Sequence, residues 1–293
     1  MSGFFHRLVR HFGNMTVLDF LKSSLSMFFN TEIQACLNEI QEIAGYDLSE
    51  EERKAFLAFH NHITNPQPNY ITLLRNDPKK EHWYHLLVNG VLGNTQSSFA
   101  CVRYHFENLK KIESDIIKSI EGKKYKEALG SSTMALGNTR IWDFEYQAYV
   151  LAYRRCLDQF AGALAAFFKN KYSSFRTLPD FLAKRKPQEV ASHLIEVHSK
   201  HTKNFEFVLS EGGVTSVRDR IAHYEFVQAG TINLSSSGLI FVGGGENLNL
   251  NFEANALLSE TLEEKTIALH NCLSEMIYCY INEVAKWQRE QNV

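Results

Sequence analysis

A regular apolar stripe along residues 259–290 is the feature that most constrains how this chain folds. Apolar residues and one threonine recur there at intervals of three or four: Leu262, Thr266, Leu269, Leu273, Met276, Tyr280, Val284 and Trp287. This spacing places all of them on one side of an α-helix. Because so long an apolar face must be covered, the stripe predicts the core of a helical bundle. A contact between two copies of the chain is the alternative.

Two further segments show the same periodicity. The apolar positions are Phe99, Val102, Phe106, Leu109, Ile112 and Ile116 in one, and Tyr149, Ala152, Cys156, Phe160, Ala163 and Phe167 in the other. Small residues in "FAGALAAFF" would let a neighbouring helix approach the second segment closely. Earlier in the chain, Ser49 and Glu52 have the spacing of a capping box, which predicts a helix start. The fold class is therefore predicted to be mainly α.

The pattern changes near residues 230–252, where apolar and polar residues alternate around Ser, Gly and Asn. This alternation predicts a small β-hairpin insertion, with room for a third strand, and places the hairpin turn in "VGGGEN". We expect an N-terminal helical region over 1–92 and a helical domain over 95–293. The alternative is one continuous body, because helices on both sides of the Gly- and Ser-rich stretch 122–138 could share one core.

Charge and cysteine content limit the possible partners. The chain has 31 basic and 33 acidic residues, so no protein-wide field attracts nucleic acid. Between Lys169 and Arg220, however, the sequence contains ten basic and six acidic residues. We expect no signal peptide, and the sequence has no apolar run long enough for a membrane span and five scattered cysteines without a CxxC pair. We expect a cytoplasmic protein with no membrane partner, no metal site and no cofactor.

Several histidine motifs have plain structural explanations. His60, Asn61 and His62 are consecutive in a helical pattern, so their side chains point in different directions and do not form a nuclease site. His193, His198 and His201 accompany two lysines and are expected to be surface residues of a basic helix. Contact with a phosphate backbone is the alternative for that helix.

The stretch "SVRDRIAHYEF", residues 216–226, concentrates Arg218, Asp219, Arg220 and His223 between two long amphipathic patterns. Arginine followed by a polar residue, a hydrophobic–small step and histidine resembles the motif of the HEPN superfamily (higher eukaryotes and prokaryotes nucleotide-binding domains). Other Arg–His pairs occur in the chain, such as Arg53 with His60, so spacing alone does not carry the resemblance. It rests on Asp219, on "IA" before the histidine and on the position between helices.

The resemblance implies a HEPN-like helical bundle, a symmetric homodimer and a metal-independent endoribonuclease. In that reading Arg218, Asp219 and His223 are catalytic, and Arg220 and Tyr224 bind the RNA substrate. The implied products are a 2′,3′-cyclic phosphate and a 5′-OH. The implied setting is a bacterial toxin or phage-defence effector, with an antitoxin or regulatory protein as a further partner.

Helix geometry leaves several roles open. Residues five apart on a straight helix differ by about 140° in direction, so Arg218 and His223 would not share a face. Either Arg218 lies at an irregular helix start, or Arg220 does part of the phosphate binding. Asp219 could orient the imidazole or simply lie at the positive end of the helix dipole, beside a half-buried His223.

Two rival functions also remain open. One is a catalytically silent HEPN-like module that binds a nucleotide, RNA or a protein partner, and the near-neutral net charge fits it. The other is a helical scaffold in which residues 1–92 mediate assembly.

Overall fold

The computed structural model describes residues 31–65, 70–209, 215–243 and 257–290. The chain divides into two compact units, Met1–Asp47 and Leu48–Val293. In the first unit, helix α1 spans Thr31–Ala44. The division lies at Asp47–Leu48, so the boundary expected between 92 and 95 falls inside the second unit. Helices from both sides of that expected boundary pack together, because their apolar faces cover one core.

The second unit is mainly helical, as predicted. Its helices are α2 (Glu50–Thr64), α3 (Tyr70–Asn76), α4 (Glu81–Val88), α5 (Gln96–Ile120), α6 (Lys126–Leu129), α7 (Arg140–Phe167), α8 (Leu178–Leu182), α9 (Gln188–His201), α10 (Val217–His223) and α11 (Leu258–Glu290). A π-helix, Asn89–Thr95, joins α4 to α5, and a 3₁₀ turn, Thr202–Phe205, extends α9. The predicted capping box opens α2: Ser49 Oγ accepts from the Glu52 N–H, and Glu52 Oε2 accepts from the Ser49 N–H.

The stripe on α11 is the core of the protomer. Seven of its eight predicted positions are buried and Trp287 is half-buried, because α2, α5 and α9 pack against this helix. Two buried tyrosines tie α7 to it: the hydroxyls of Tyr149 and Tyr153 donate to the carbonyl oxygens of Leu262 and Lys265, at 3.2 and 2.8 Å. The alternative that the stripe joins two copies is therefore wrong. Although α11 has 33 residues, no helix in the described ranges is long and apolar enough to cross a membrane.

The small residues of α7 allow the close helix approach that the sequence predicted. The π-helix packs against them, and a Cβ atom added at Gly90 would lie 2.6 Å from the Cβ of Ala163. Such a separation is far inside van der Waals contact, so only glycine fits there. The contact brings the backbone of the π-helix against α7 and forms one wall of the cavity that Arg218 faces, described below.

Within the described residues the sheet has three antiparallel strands in the order β1–β2–β3: Thr133–Ala135, Gly230–Ser235 and Gly238–Gly243. The hairpin of β2 and β3 was predicted, and its turn is at Ser236–Ser237; most of "VGGGEN", where a hairpin turn was expected, lies outside the described residues. Gly243 ends β3, and residues 244–256, where the hairpin was expected to continue, lie outside the described residues. The third strand comes from the expected linker 122–138, where Met134 pairs with Leu234.

Candidate functional site

The segment that carries the Arg–His motif forms the short helix α10. Its start is capped by Ser216, whose hydroxyl accepts from the Asp219 N–H at 3.2 Å and donates to Asp219 Oδ2 at 3.0 Å. The buried side chain of Val217 anchors the first turn, and the Val217 N–H donates to the carbonyl oxygen of Phe207. The helix ends at His223. Serine is favoured at this position because its hydroxyl accepts from a backbone N–H that has no partner within the helix.

Arg218 is held in place by the residue that follows it. Its Nη1 lies 2.6 Å from Asp219 Oδ1, and both side chains are about a quarter to a third exposed, at 30% and 25%. Since the other carboxylate oxygen binds Ser216, both oxygens of Asp219 have partners within α10 and its cap. Asp219 therefore orients the guanidinium of Arg218, which faces a cavity along α7.

Arg220 points to a different partner. Its Nε donates to Glu225 Oε1 at 2.5 Å, and the side chain is 24% exposed. Its positive charge also acts on the neighbouring phenol of Tyr146: burial raises the pKa of Tyr146, and Arg220 opposes that rise. Arg220 is thus held against the protein surface by Glu225 and faces a buried phenol.

His223 is the last residue of α10 and is exposed. Its ring meets the ring of Tyr224 edge-on, with centroids 6.0 Å apart. Arg218 precedes it by five residues, or about 7.5 Å along a helix axis. No hydrogen bond or ion pair joins Arg218 and His223 among the residues that the structure describes. The structure therefore brings Arg218 and Asp219 together and leaves His223 on the surface, not half-buried.

Three exposed aromatic residues of the described chain form what we call the aromatic surface: Tyr224 and Phe226, which follow His223 in the chain, and Phe144 of α7, which contacts Phe226. Tyr224 is 76% exposed, and the rings of Phe144 and Phe226 meet edge-on with centroids 6.1 Å apart. The chain after α10 is tied to α7 because Gln147 Nε2 donates to the Val227 carbonyl oxygen at 3.1 Å. This hydrogen bond holds the segment after α10 against the helix that carries Phe144.

The cavity that Arg218 faces has a volume of about 490 Å³ and lies between α7, the π-helix and residues 170–173. Its charged lining consists of Arg154, Arg155, Asp158, Lys171 and Arg218. Sequence reasoning noted the basic excess after Lys169 but missed Arg154 and Arg155. Their signal was two adjacent arginines in the middle of a helix whose neighbouring positions are largely apolar, "VLAYRRCL".

The prediction of surface histidines on α9 is wrong for two of the three. His198 is 3% exposed, and its Nε2 lies 2.8 Å from the Phe175 carbonyl oxygen, to which it donates. His201 is also buried, with Nε2 2.8 Å from Glu275 Oε2. Burial lowers the pKa of His198. His201 is buried where α9 packs on α11, and His198 is buried against Phe175, whose ring centroid lies 4.6 Å from that of the imidazole.

Comparisons of the chain with protein-family models, with curated proteins and with solved structures find no match. The function of the site must therefore be inferred from its own residues. These are an arginine fixed by a carboxylate at a basic cavity, an exposed histidine on the same short helix, and an exposed aromatic surface beside that histidine.

Proposed function

We propose that this chain is a metal-independent endoribonuclease of the HEPN type that acts as a symmetric homodimer. The observation that carries the proposal is the composition of α10. One seven-residue helix presents a guanidinium fixed by Asp219 and, at its other end, an exposed imidazole. A cation for phosphate and a group for proton transfer are the two functions that RNA cleavage without a metal requires.

The proposed reaction uses the 2′-OH of the substrate as the nucleophile. A base removes the 2′-OH proton, the 2′-oxygen attacks the phosphorus, and the bond from phosphorus to the 5′-oxygen breaks. An acid gives a proton to that departing oxygen, which leaves a 2′,3′-cyclic phosphate and a 5′-OH. Imidazole can accept or donate a proton near neutral pH, which suits His223 to these steps. Arg218 donates hydrogen bonds to the phosphate, and Asp219 is its positioning residue.

Two copies are proposed because one imidazole cannot readily serve as acid and base in the same step. The α11 stripe and the small face of α7 were candidate dimer contacts, but both are covered within the protomer. The aromatic surface remains exposed beside His223. Exposed aromatic residues are typical of interaction sites, so pairing of two aromatic surfaces would bring two His223 side chains together.

The substrate is RNA, and Tyr224 is proposed to stack on a base next to the cleaved phosphate. Arg220 would reach that phosphate only after its ion pair with Glu225 breaks. The proposed setting is a bacterial toxin or phage-defence effector held in check by an antitoxin or regulatory protein.

The test is cleavage of a mixed pool of RNAs in EDTA by wild type, Arg218→Ala and His223→Ala. General acid–base catalysis contributes about 10²–10⁴-fold, so His223→Ala should lose at least about 100-fold in rate. Arg218→Ala should lose a similar factor. Arg53→Ala and His60→Ala are matched controls, because both residues are exposed and form a similar Arg–His pair on α2.

An unchanged unfolding temperature of each variant would show that the lost cleavage rate reflects a missing catalytic group and not a loss of folded protein. Cleavage that persists in both α10 variants would contradict the site. A wild-type protein that cuts none of the RNAs would contradict the enzyme and favour the catalytically silent module that binds a nucleotide, RNA or a protein.

A further inference from the structure

Two adjoining cavities form one groove along α7. The first, with a volume of about 490 Å³, has the charged lining described above, and we call it the basic chamber. The second, with a volume of about 420 Å³, is lined by Ser97, Ser98 and Cys101 among others, and we call it the neutral chamber. Asn94, Leu151, Arg155 and Gln159 line both. The basic chamber is therefore strongly cationic, whereas Arg155, at the junction, is the one charged residue that lines the neutral chamber within the described part of the chain.

The basic chamber has positive charge that its own carboxylate does not neutralise. Asp158 is the only carboxylate among its lining residues in the described part of the chain. Asp158 Oδ2 binds Arg154 Nε at 2.7 Å, and its Oδ1 accepts from the Phe175 N–H at 3.0 Å. Arg155 and Lys171 are exposed and have no carboxylate within 4.0 Å among the described residues. An anion in this chamber would meet Arg155 and Lys171, which have no ion-pair partner in the ranges that the structure describes.

Arg155 is positioned by the floor of the groove. With its amide oriented by the hydrogen-bond network, Gln159 accepts from Arg155 Nε at 3.1 Å and donates to the Asn94 carbonyl oxygen at 2.8 Å. Asn94 belongs to the π-helix, and π-helical turns occur frequently at functional sites. The hydrogen bond from Nε therefore orients the Arg155 side chain, so that its outer N–H groups point into the groove.

Residues 170–173 bring Lys171 to the opposite wall. A Cβ atom added at Gly162 would lie 3.1 Å from the Tyr172 carbonyl oxygen, so this loop lies close to α7. The ring of Tyr172 stacks on Phe181 with centroids 4.5 Å apart, and its hydroxyl donates to the Thr177 carbonyl oxygen at 2.8 Å. These contacts make the wall rigid before any ligand binds, which lowers the cost of binding.

The neutral chamber suits a planar polar group. Ser97 supplies an exposed hydroxyl, and the buried Ser98 hydroxyl binds Gln159 at the floor of the chamber. Leu151, an exposed leucine, supplies an apolar surface at the junction of the two chambers. Burial raises the pKa of the Cys101 thiol, and the charge of Arg155 opposes that rise, so Arg155 lies within electrostatic reach of this chamber. Cavities of about 300–1,000 Å³ are typical of small-molecule sites.

From this geometry we propose that the groove binds a nucleoside phosphate, with its phosphate against Arg155 and Lys171 and its base in the neutral chamber. The nucleoside phosphate is either a free nucleotide or one nucleotide of an RNA strand. This site does not depend on His223, so it can exist whether or not the chain cleaves RNA.

Calorimetry with ADP, adenosine and pyrophosphate tests the two ends separately. ADP should bind more tightly than adenosine, which lacks phosphate, and more tightly than pyrophosphate, which lacks the base. Arg155→Gln and Lys171→Gln should each weaken ADP binding about ten-fold or more, the factor expected for a lost charged hydrogen bond. The matched control is Arg140→Gln, an exposed arginine of α7 outside the groove, and it should bind ADP as wild type does.

Alkylation of cysteines by iodoacetamide, followed by peptide mass spectrometry, tests the position of the base. Cys101 lines the neutral chamber and is exposed, and Cys36, exposed in the first unit, is an internal control. ADP should slow alkylation of Cys101 and leave Cys36 unchanged. A 2′-O-methylated RNA oligonucleotide that cannot be cleaved distinguishes the sources: it should protect Cys101 if the ligand is part of RNA, and fail to do so if the ligand is a free nucleotide.

Absence of ADP binding by the wild-type protein would overturn this proposal, as would binding that Arg155→Gln and Lys171→Gln leave unchanged. Loss of RNA cleavage in His223→Ala with normal ADP binding separates this site from the ribonuclease proposal.

Discussion

Gly90 fixes the distance between the π-helix and α7, and with it one wall of the groove. Its missing side chain lets the backbone approach Ala163, where an added Cβ would clash at 2.6 Å. Gly93, in the same π-helix, has open space where its Cβ would be. The two glycines thus form a matched pair, one needed for packing and the other not.

Replacing Gly90 by alanine should destabilise the protein by about 1–3 kcal/mol, the usual cost of overpacking a core contact. Gly93→Ala should be neutral or stabilise by up to about 1 kcal/mol, since alanine favours helical backbone more than glycine does. Urea unfolding of both variants measures the difference. Equal stability of Gly90→Ala and Gly93→Ala would show that the close contact with Ala163 does not exist.

Sequence reasoning found the residues of the proposed site that lie in one motif and missed those that folding brings together. Arg218, Asp219 and His223 are close in the chain, and local pattern was enough to select them. Arg155 and Lys171 are 16 positions apart and meet only because a loop folds back on α7. The same limit applies to His198 and His201. Histidines are on average partly exposed, so a surface position was predicted for both, but tertiary packing buries them.

At the scale of elements, α11 is the helix on which the second unit depends. Its apolar stripe is covered by α2, α5 and α9 of the same chain. Leu269 is fully buried within the stripe, whereas Ile267, two residues earlier, is 53% exposed. Substituting each of these two residues therefore tests whether the stripe is a core within one chain or a contact between two copies.

Leu269→Ala should lower the free energy of unfolding by about 2–5 kcal/mol, because it leaves a cavity in a packed core. Ile267→Ala should change it far less. Chemical unfolding at two protein concentrations measures both effects. A loss for Leu269→Ala that grows as the protein is diluted would contradict the assignment of this stripe to the core of one protomer.

The elements themselves were predictable to different degrees. The spacing of apolar residues predicted helices α5, α7 and α11 almost to their observed ends, and the capping box predicted the start of α2. β1 was missed because its three residues form a strand only through pairing with β2. No local period distinguishes such a segment from a linker. The π-helix was missed for a similar reason, since its wider turn depends on packing against α7.

At the scale of the whole molecule, buried histidines make stability depend on pH. Burial lowers the pKa of His62, His198 and His270 below the ordinary value of 6.5. The unfolded chain therefore binds more protons than the folded chain just below that pH. The stability contributed by the neutral histidines is complete above pH 6.5 and is lost as pH falls through their folded-state pKa values.

The free energy of unfolding should decrease between about pH 7.5 and pH 5.5, by at most ~1.4 kcal/mol per pH unit for each histidine. His198→Gln should reduce this slope, because it removes the most deeply buried of the three imidazoles. His60→Gln, at an exposed position of α2, is the control and should leave the slope unchanged. Denaturant unfolding across this pH range provides the measurement. An unchanged slope in His198→Gln would mean that His198 titrates normally in the folded protein.

The most direct test of the central proposal is the chemistry of the ends that the protein leaves on RNA in EDTA. Mass spectrometry should show a 2′,3′-cyclic phosphate on one fragment and a 5′-OH on the other. A single 2′-O-methyl group at the mapped cut should abolish cleavage there, because the 2′-oxygen is the nucleophile, and His223→Ala should abolish it throughout. Fragments with 3′-OH and 5′-phosphate ends, or a cut that survives the 2′-O-methyl group, would contradict the proposed ribonuclease.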